Sequence, residues 1–194
     1  MHFNFNTSYP NTWFDLPCAA CYTLLENQVT GVYHMNQKQE LYNRMNRQIQ
    51  SILEDCELPL TAMSNTCAIL YSELPDLNWA GFYLMHRGEL VLGPFQGKVA
   101  CMKIAVGKGV CGTAVSTGTV QLVPDVHQFP GHIACDSASQ SEIVIPLFVN
   151  GKIFGVLDID SPKINRFDED DQNGLLETCS ILMGALDWTG GLLP

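Results

Sequence analysis

The sequence predicts an α+β domain, a mainly antiparallel central sheet flanked by N- and C-terminal helices. Three observations carry this reading. "EIVIPLFVNGKIFGVLDID" holds two apolar runs across Asn150-Gly151, the dipeptide favoured in type I′ hairpin turns. "NWAGFYLM" (78–85) and "ELVLG" (89–93) form a second hairpin across Arg87-Gly88. Apolar residues recur at helical spacing on both sides of these strands: Leu41, Met45, Ile49 and Ile52 before them, Leu175, Cys179, Leu182 and Leu186 after them.

The elements follow in order. Residues 1–34 mix Asn, Thr, Pro and aromatics without a period and read as a frayed N-terminal extension. The domain spans 35–188. "NQKQELYNRMNRQIQSILED" is an amphipathic helix, and "LPLTAMSNTCAILYSEL" is a second, with Pro59 at its first turn. After the first hairpin, "CMKIAV" is a third strand and "VCGTAVSTG" a short helix ended by Gly118. "VQLVPD" is a short strand, and residues 125–141 form a polar loop. Asp168 caps the last helix, and residues 189–194 are a tail.

Composition narrows the partners. Apolar residues make up 46% of the 194 and charged residues 15%, the profile of a globular chain. A formal net charge of −10 repels nucleic acid and anionic membrane surfaces. The first basic residue is Lys38, so no basic signal or transit peptide is expected, and "LPCAACYTLL" is too short to span a bilayer. The expected location is the cytoplasm. The eight cysteines then read as catalytic, metal-binding or simply buried thiols, not as a disulfide framework.

Among the cysteines, Cys56, Cys67 and Cys179 fall in helical stretches and read as small buried hydrophobes. Cys18 and Cys21 form a lone CxxC without the second pair that structural zinc needs. Cys101, Cys111 and Cys135 differ: all three lie at strand ends or in loops beside glycines. Cys111 opens a helix next to Lys108, a setting that lowers a thiol pKa, and Cys135 lies near His127 and His132. A zinc site built from these three cysteines and a histidine competes with redox chemistry for the same residues, although the spacings of 10 and 24 do not match common zinc motifs.

The acids form a second group. Asp158 and Asp160 alternate onto one face of a strand. A two-residue turn at Asn150-Gly151 places Asp158 opposite Ile143, with Glu142 near. Three carboxylates at one end of a buried hairpin repel, so at least one should hold its proton near neutral pH. Trp79 and Tyr83, four apart on a strand, share a face and form a wall suited to a small apolar or cationic group.

Together these residues resemble the free methionine-(R)-sulfoxide reductases, catalytic members of the GAF fold. The resemblance covers about residues 36–187 and rests on "LNWAGFYLM", "LVLGPFQGKVACMKIAVGKGVCGTAV", "DVHQFPGHIACDSASQSEIVIPL" and "GKIFGVLDIDSP…RFDEDDQNGL". It implies a single GAF-like domain that reduces free L-methionine-(R)-S-oxide. By the same resemblance Cys135 is the nucleophile, Cys111 a resolving cysteine and Cys101 a second cysteine able to form a disulfide. Glu142, Asp158 and Asp160 hold the sulfoxide oxygen and the amine, while Trp79 and Tyr83 wall the methyl group. No metal or organic cofactor is implied; thioredoxin is the implied reductant, and a homodimer the implied assembly. Two other readings stand beside this one. A non-catalytic GAF module that senses a small molecule fits the fold, but it leaves the three loop cysteines unexplained and 194 residues give little room for an output domain. A zinc-stabilised structural domain is the other.

Overall fold

A computed structural model describes residues 37–133, 135–190 and 192. The N-terminal extension and the Cys18/Cys21 pair lie outside them, as do parts of the C-terminal tail. Helix α1 covers residues 37–53. It is followed by α2 (Pro59–Glu73), β1 (Trp79–His86), β2 (Glu89–Gly97), β3 (Lys103–Ala105), α3 (Gly109–Thr117), β4 (Gln121–Val123), a 3-10 turn (Val126–Gln128), β5 (Ser141–Val149), β6 (Lys152–Ser161) and α4 (Glu169–Ala185). The six strands make one antiparallel sheet in the order β3-β2-β1-β6-β5-β4. Its two edge strands have three residues each, which leaves little unpaired backbone to recruit another chain.

The expected elements form for the expected reasons. Both hairpin turns have positive φ at their two central residues, at Arg87-Gly88 and Asn150-Gly151. Gly118 closes α3 in the left-handed conformation, its N–H bonded to the Ala114 carbonyl. Asp168 caps α4 and exchanges hydrogen bonds with Asp171 in a capping box. Strand β2 runs four residues further than the sequence indicated, through Pro94 to Gly97, because the start of β1 keeps pairing with it.

The two faces of the sheet do different jobs. One buries Ala80, Phe82, Ile143, Ile145, Leu157 and Ile159 against α1, α2 and α4, forming the larger core. The other packs Val144, Val156 and Tyr83 against α3 and the loops around it. Every functional side chain singled out above, other than the loop cysteines, belongs to this second face or its rim.

One register expectation is corrected. Near the turn the hairpin pairs as anticipated, Val149 with Lys152 and Phe148 with Ile153. The pairing then shifts, and Leu147 faces Gly155, leaving Phe154 as an extra residue on β6. Beyond this bulge Asp158 lies opposite Val144, not Ile143, and Glu142 lies opposite Asp160. A one-residue slip exchanges the faces of a strand. The bulge therefore turns Glu142 to the same side as the two aspartates, which the unshifted register would not have done.

Candidate active site

On the second face a cleft, partly open to solvent, runs between the sheet, the start of α3 and the loop that carries Cys135. Its floor is Glu142, Asp158 and Asp160, its wall is Trp79 and Tyr83, and Cys111 and Cys135 both reach it. Of the residues anticipated from the sequence, all but Cys101 thus line one cavity. They come from four places: two neighbouring strands bring the acids, β1 the aromatics, the first turn of α3 Cys111, and the long loop Cys135.

The aromatic wall is larger than anticipated. Trp79 stacks on Tyr83 at 5.7 Å between centroids and on Phe95 of β2 at 5.4 Å. Gly81 permits the stack, since a Cβ there would collide with Phe95 and with the Trp79 ring. The Tyr83 hydroxyl donates to the Cys101 carbonyl at 3.0 Å, so the wall also ties down the loop that carries Cys101.

Electrostatics in the floor follow from burial. Glu142 and Asp158 are each 6% exposed. Burial, then the charges of Asp158 and Asp160, hold the Glu142 carboxyl well above its ordinary range. Burial, then Asp158 and Asp136, do the same to Asp160. Burial also lifts Asp158, to about 6, against hydrogen bonds from Cys111 and Glu142 that favour its charged form. Burial and mutual repulsion thus favour protons on Glu142 and Asp160, while the hydrogen bonds to Asp158 favour its charged form. Two buried polar atoms of this cleft, Asp158 Oδ1 and Trp79 Nε1, have no hydrogen-bond partner among the described residues. An acceptor and a donor left open beside one cavity call for a polar ligand.

The three cysteines separate into two roles of geometry. Cys101 and Cys135 are joined by a disulfide, with Cα atoms 5.7 Å apart. Cys135 is exposed in its loop, and Cys101 is partly exposed. Cys111 is a free thiol, 3% exposed, that donates to Glu142 Oε1 at 3.9 Å. The sequence pointed to a lowered Cys111 pKa at a helix start beside Lys108. The opposite holds: burial, then Asp158 and Glu142, push this thiol well above its ordinary value. His132 lies in the cleft wall, and burial with nearby His127 lowers its pKa, which favours the neutral imidazole.

A zinc centre made of the three cysteines and a histidine is not assembled, because two of the thiols bind each other. Among the described residues, the donors that do approach one another, all within 4.8 Å, are Cys111, Glu142 and Asp158, a trio whose ligand atoms could hold a cation. Among the described residues no helix is long and apolar enough to cross a membrane.

The fold and the cleft have counterparts among known proteins. A GAF domain family model matches residues 59–187. The free methionine-R-sulfoxide reductase of Escherichia coli (strain K12) is 51% identical over 152 residues, which are 78% of this chain and 92% of that one. The chain belongs to the free methionine-R-sulfoxide reductase family. Solved structures of the family superpose closely. The Neisseria meningitidis reductase, in complex with its substrate, is 44% identical with a TM-score of 0.74, over 76% of this chain and 89% of that one. The reduced form of Staphylococcus aureus fRMsr is 50% identical with a TM-score of 0.73, over 75% and 95%. Family membership makes the chain an oxidoreductase of the GAF fold.

Several residues of the cleft carried no sequence signal. Asp136 and Ser139, and Phe95 stacked on Trp79, look like ordinary loop and strand residues until the fold brings them together. The pairing of Cys101 with Cys135 across 34 residues has no local signature either.

Proposed function

We propose that this chain reduces free L-methionine-(R)-S-oxide to L-methionine with thiol electrons. The observation that carries the reading is one cleft in which a cysteine of an open loop faces a floor of buried, proton-holding acids and an aromatic wall. The relatives named above, one of them solved with its substrate, support it.

The chemistry follows from these groups. Sulfoxide sulfur resists attack until its oxygen is protonated or strongly hydrogen-bonded. Protonated Glu142 or Asp160 donates to that oxygen, and ionised Asp158, with its open Oδ1, receives the substrate amine. Trp79 and Tyr83 hold the methyl group. The Cys135 thiolate attacks sulfur, oxygen passes to the cysteine, methionine leaves, and Cys135 becomes a sulfenic acid. A second thiol displaces water from it to give a disulfide. The resemblance alone made Cys111 the resolver. The geometry favours Cys101, since Cys101 pairs with Cys135 while the Cys111 proton is engaged by Glu142. Cys111 then serves to hold Glu142 in place. Exposure of Cys135 leaves the disulfide open to a thioredoxin-like dithiol, a cycle that fits a reducing, cytoplasmic compartment.

Turnover with thioredoxin, thioredoxin reductase and NADPH tests the reading. Consumption of NADPH with the free R epimer, and none with the S epimer or with a sulfoxide inside a peptide, is the expected outcome. Equal rates on the peptide would sink it.

A further inference from the structure

Asn78 is the last residue before β1, and none of the chemistry above uses it. Its position is unusual. Its backbone N–H donates to the Asp160 carbonyl at 3.1 Å, fixing it to the strand that bears the acids. Its side-chain amide reaches the other way, into the loop that bears Cys135. Nδ2 donates to Asp136 Oδ2 at 3.2 Å and to Ser139 Oγ at 2.9 Å. Asp136 directly follows Cys135, and Ser139 is 4% exposed at the far end of the same loop. An ionised carboxylate only accepts, so the amide nitrogen, not its oxygen, must face Asp136.

Two further contacts complete the arrangement. Asp136 Oδ1 accepts the Ala138 N–H at 3.0 Å, which folds the loop back on itself. Lys98 Nζ lies 3.4 Å from Asp136, and Lys98 belongs to the β2–β3 connection that carries Cys101. The two loops joined by the disulfide are thus also joined without it. These contacts do not depend on the disulfide and tie the Cys135 loop to the strand that bears the acids.

We propose that Asn78, through Asp136 and Ser139, is a positioning residue for Cys135: it sets the nucleophile's distance from the sulfoxide in the reduced protein and leaves substrate binding to the acids and aromatics. The inference rests on the reductase reading, with Cys135 as nucleophile. A misplacement of the attacking atom lowers the rate of the chemical step, whereas affinity is fixed elsewhere in the cleft.

The test is single-turnover methionine release by the reduced full-length chain, followed over a range of sulfoxide concentrations. Asn78→Asp sets two carboxylates against each other. It is expected to lower the saturating rate at least about tenfold while the half-saturating concentration stays within about twofold. Asp136→Ala removes the loop-side partner without setting two charges against each other, and is expected to show the same split even if Asn78→Asp fails to fold. The reciprocal variant Asn78→Asp/Asp136→Asn restores a donor and an acceptor with their places exchanged, and is expected to recover most of the rate. A general loss of structure would not produce this rescue. Wild-type rates in both Asn78→Asp and Asp136→Ala, a changed half-saturation with an unchanged rate, or a reciprocal variant no faster than Asn78→Asp would each overturn the proposal. Absence of methionine release from the unmutated chain would instead remove the reductase reading, and this inference with it.

Discussion

Glu142 faces Asp160 directly across the β5–β6 pair because β6 carries one residue more than its partner, Phe154. Two carboxyl groups in a non-polar sheet face would separate if the strand were free to slip. The bulge holds them together, with Asp158 two residues away, and burial then raises their pKa values. The local distortion of the hairpin is therefore what assembles the acid floor.

If that floor activates the sulfoxide oxygen, Glu142→Gln, Asp158→Asn and Asp160→Asn should each slow single-turnover methionine release. A lost contact of this kind is worth about 3 kcal/mol, or roughly a hundredfold in rate. Quenched-flow measurement on the three variants checks it, and near-wild-type rates in all three would take the acids out of the mechanism.

The same acids should make stability depend on pH. The folded-state pKa of Glu142 is raised, so above its ordinary value of about 4.3 the folded chain keeps a proton that the unfolded chain releases. The resulting destabilisation is absent near pH 4 and grows as pH rises toward the raised folded value. Glu142→Gln should thus raise the melting temperature at pH 8 by a few degrees and leave it unchanged near pH 4. Melting curves at the two pH values decide; an equal shift at both would mean the effect is packing. As pH rises through the raised folded value, the rate of methionine release should fall as Glu142 loses its proton.

A buried ion cluster at the start of α4, none of whose members lines the cleft, offers a control. Asp171 is fully buried, 2.5 Å from Lys38 and 3.1 Å from Arg166, and accepts from the Tyr42 hydroxyl at 2.8 Å. Asp171→Ala leaves two cations without their buried partner and should cost about 3 kcal/mol, a drop on the order of 10 °C in melting temperature. Methionine release per folded molecule should not change, which calorimetry and an active-site titration would establish together.

Much of this was legible in the sequence, and the boundary has physical causes. Alternation, the Asn150-Gly151 turn and the helical stripes are local patterns, so both hairpins and the terminal helices could be read directly. So could the candidate acids, aromatics and cysteines, since unusual residue types in apolar strands stand out. The bulge at Phe154 could not, because an extra residue in a strand costs nothing that a hydrophobic pattern records. The Cys111 pKa came out with the wrong sign because sequence shows the helix start but not the two acids packed on the thiol. Asn78, Asp136 and Ser139 are common loop residues whose meeting depends on contacts 58 and 61 positions apart.

A division of labour among the thiols is the central claim of the proposed cycle, and counting products tests it most directly. Reduced enzyme, mixed with excess free L-methionine-(R)-S-oxide and no thioredoxin, should release about one methionine per chain. Mass spectrometry of the products should then find one new disulfide, between Cys101 and Cys135, with Cys111 still alkylatable after unfolding. Cys135→Ser should release no methionine. Cys101→Ser should release one and stop at a sulfenic acid that dimedone traps on Cys135. A full burst from Cys135→Ser, or a new disulfide that joins Cys111 in place of Cys101, would contradict the account.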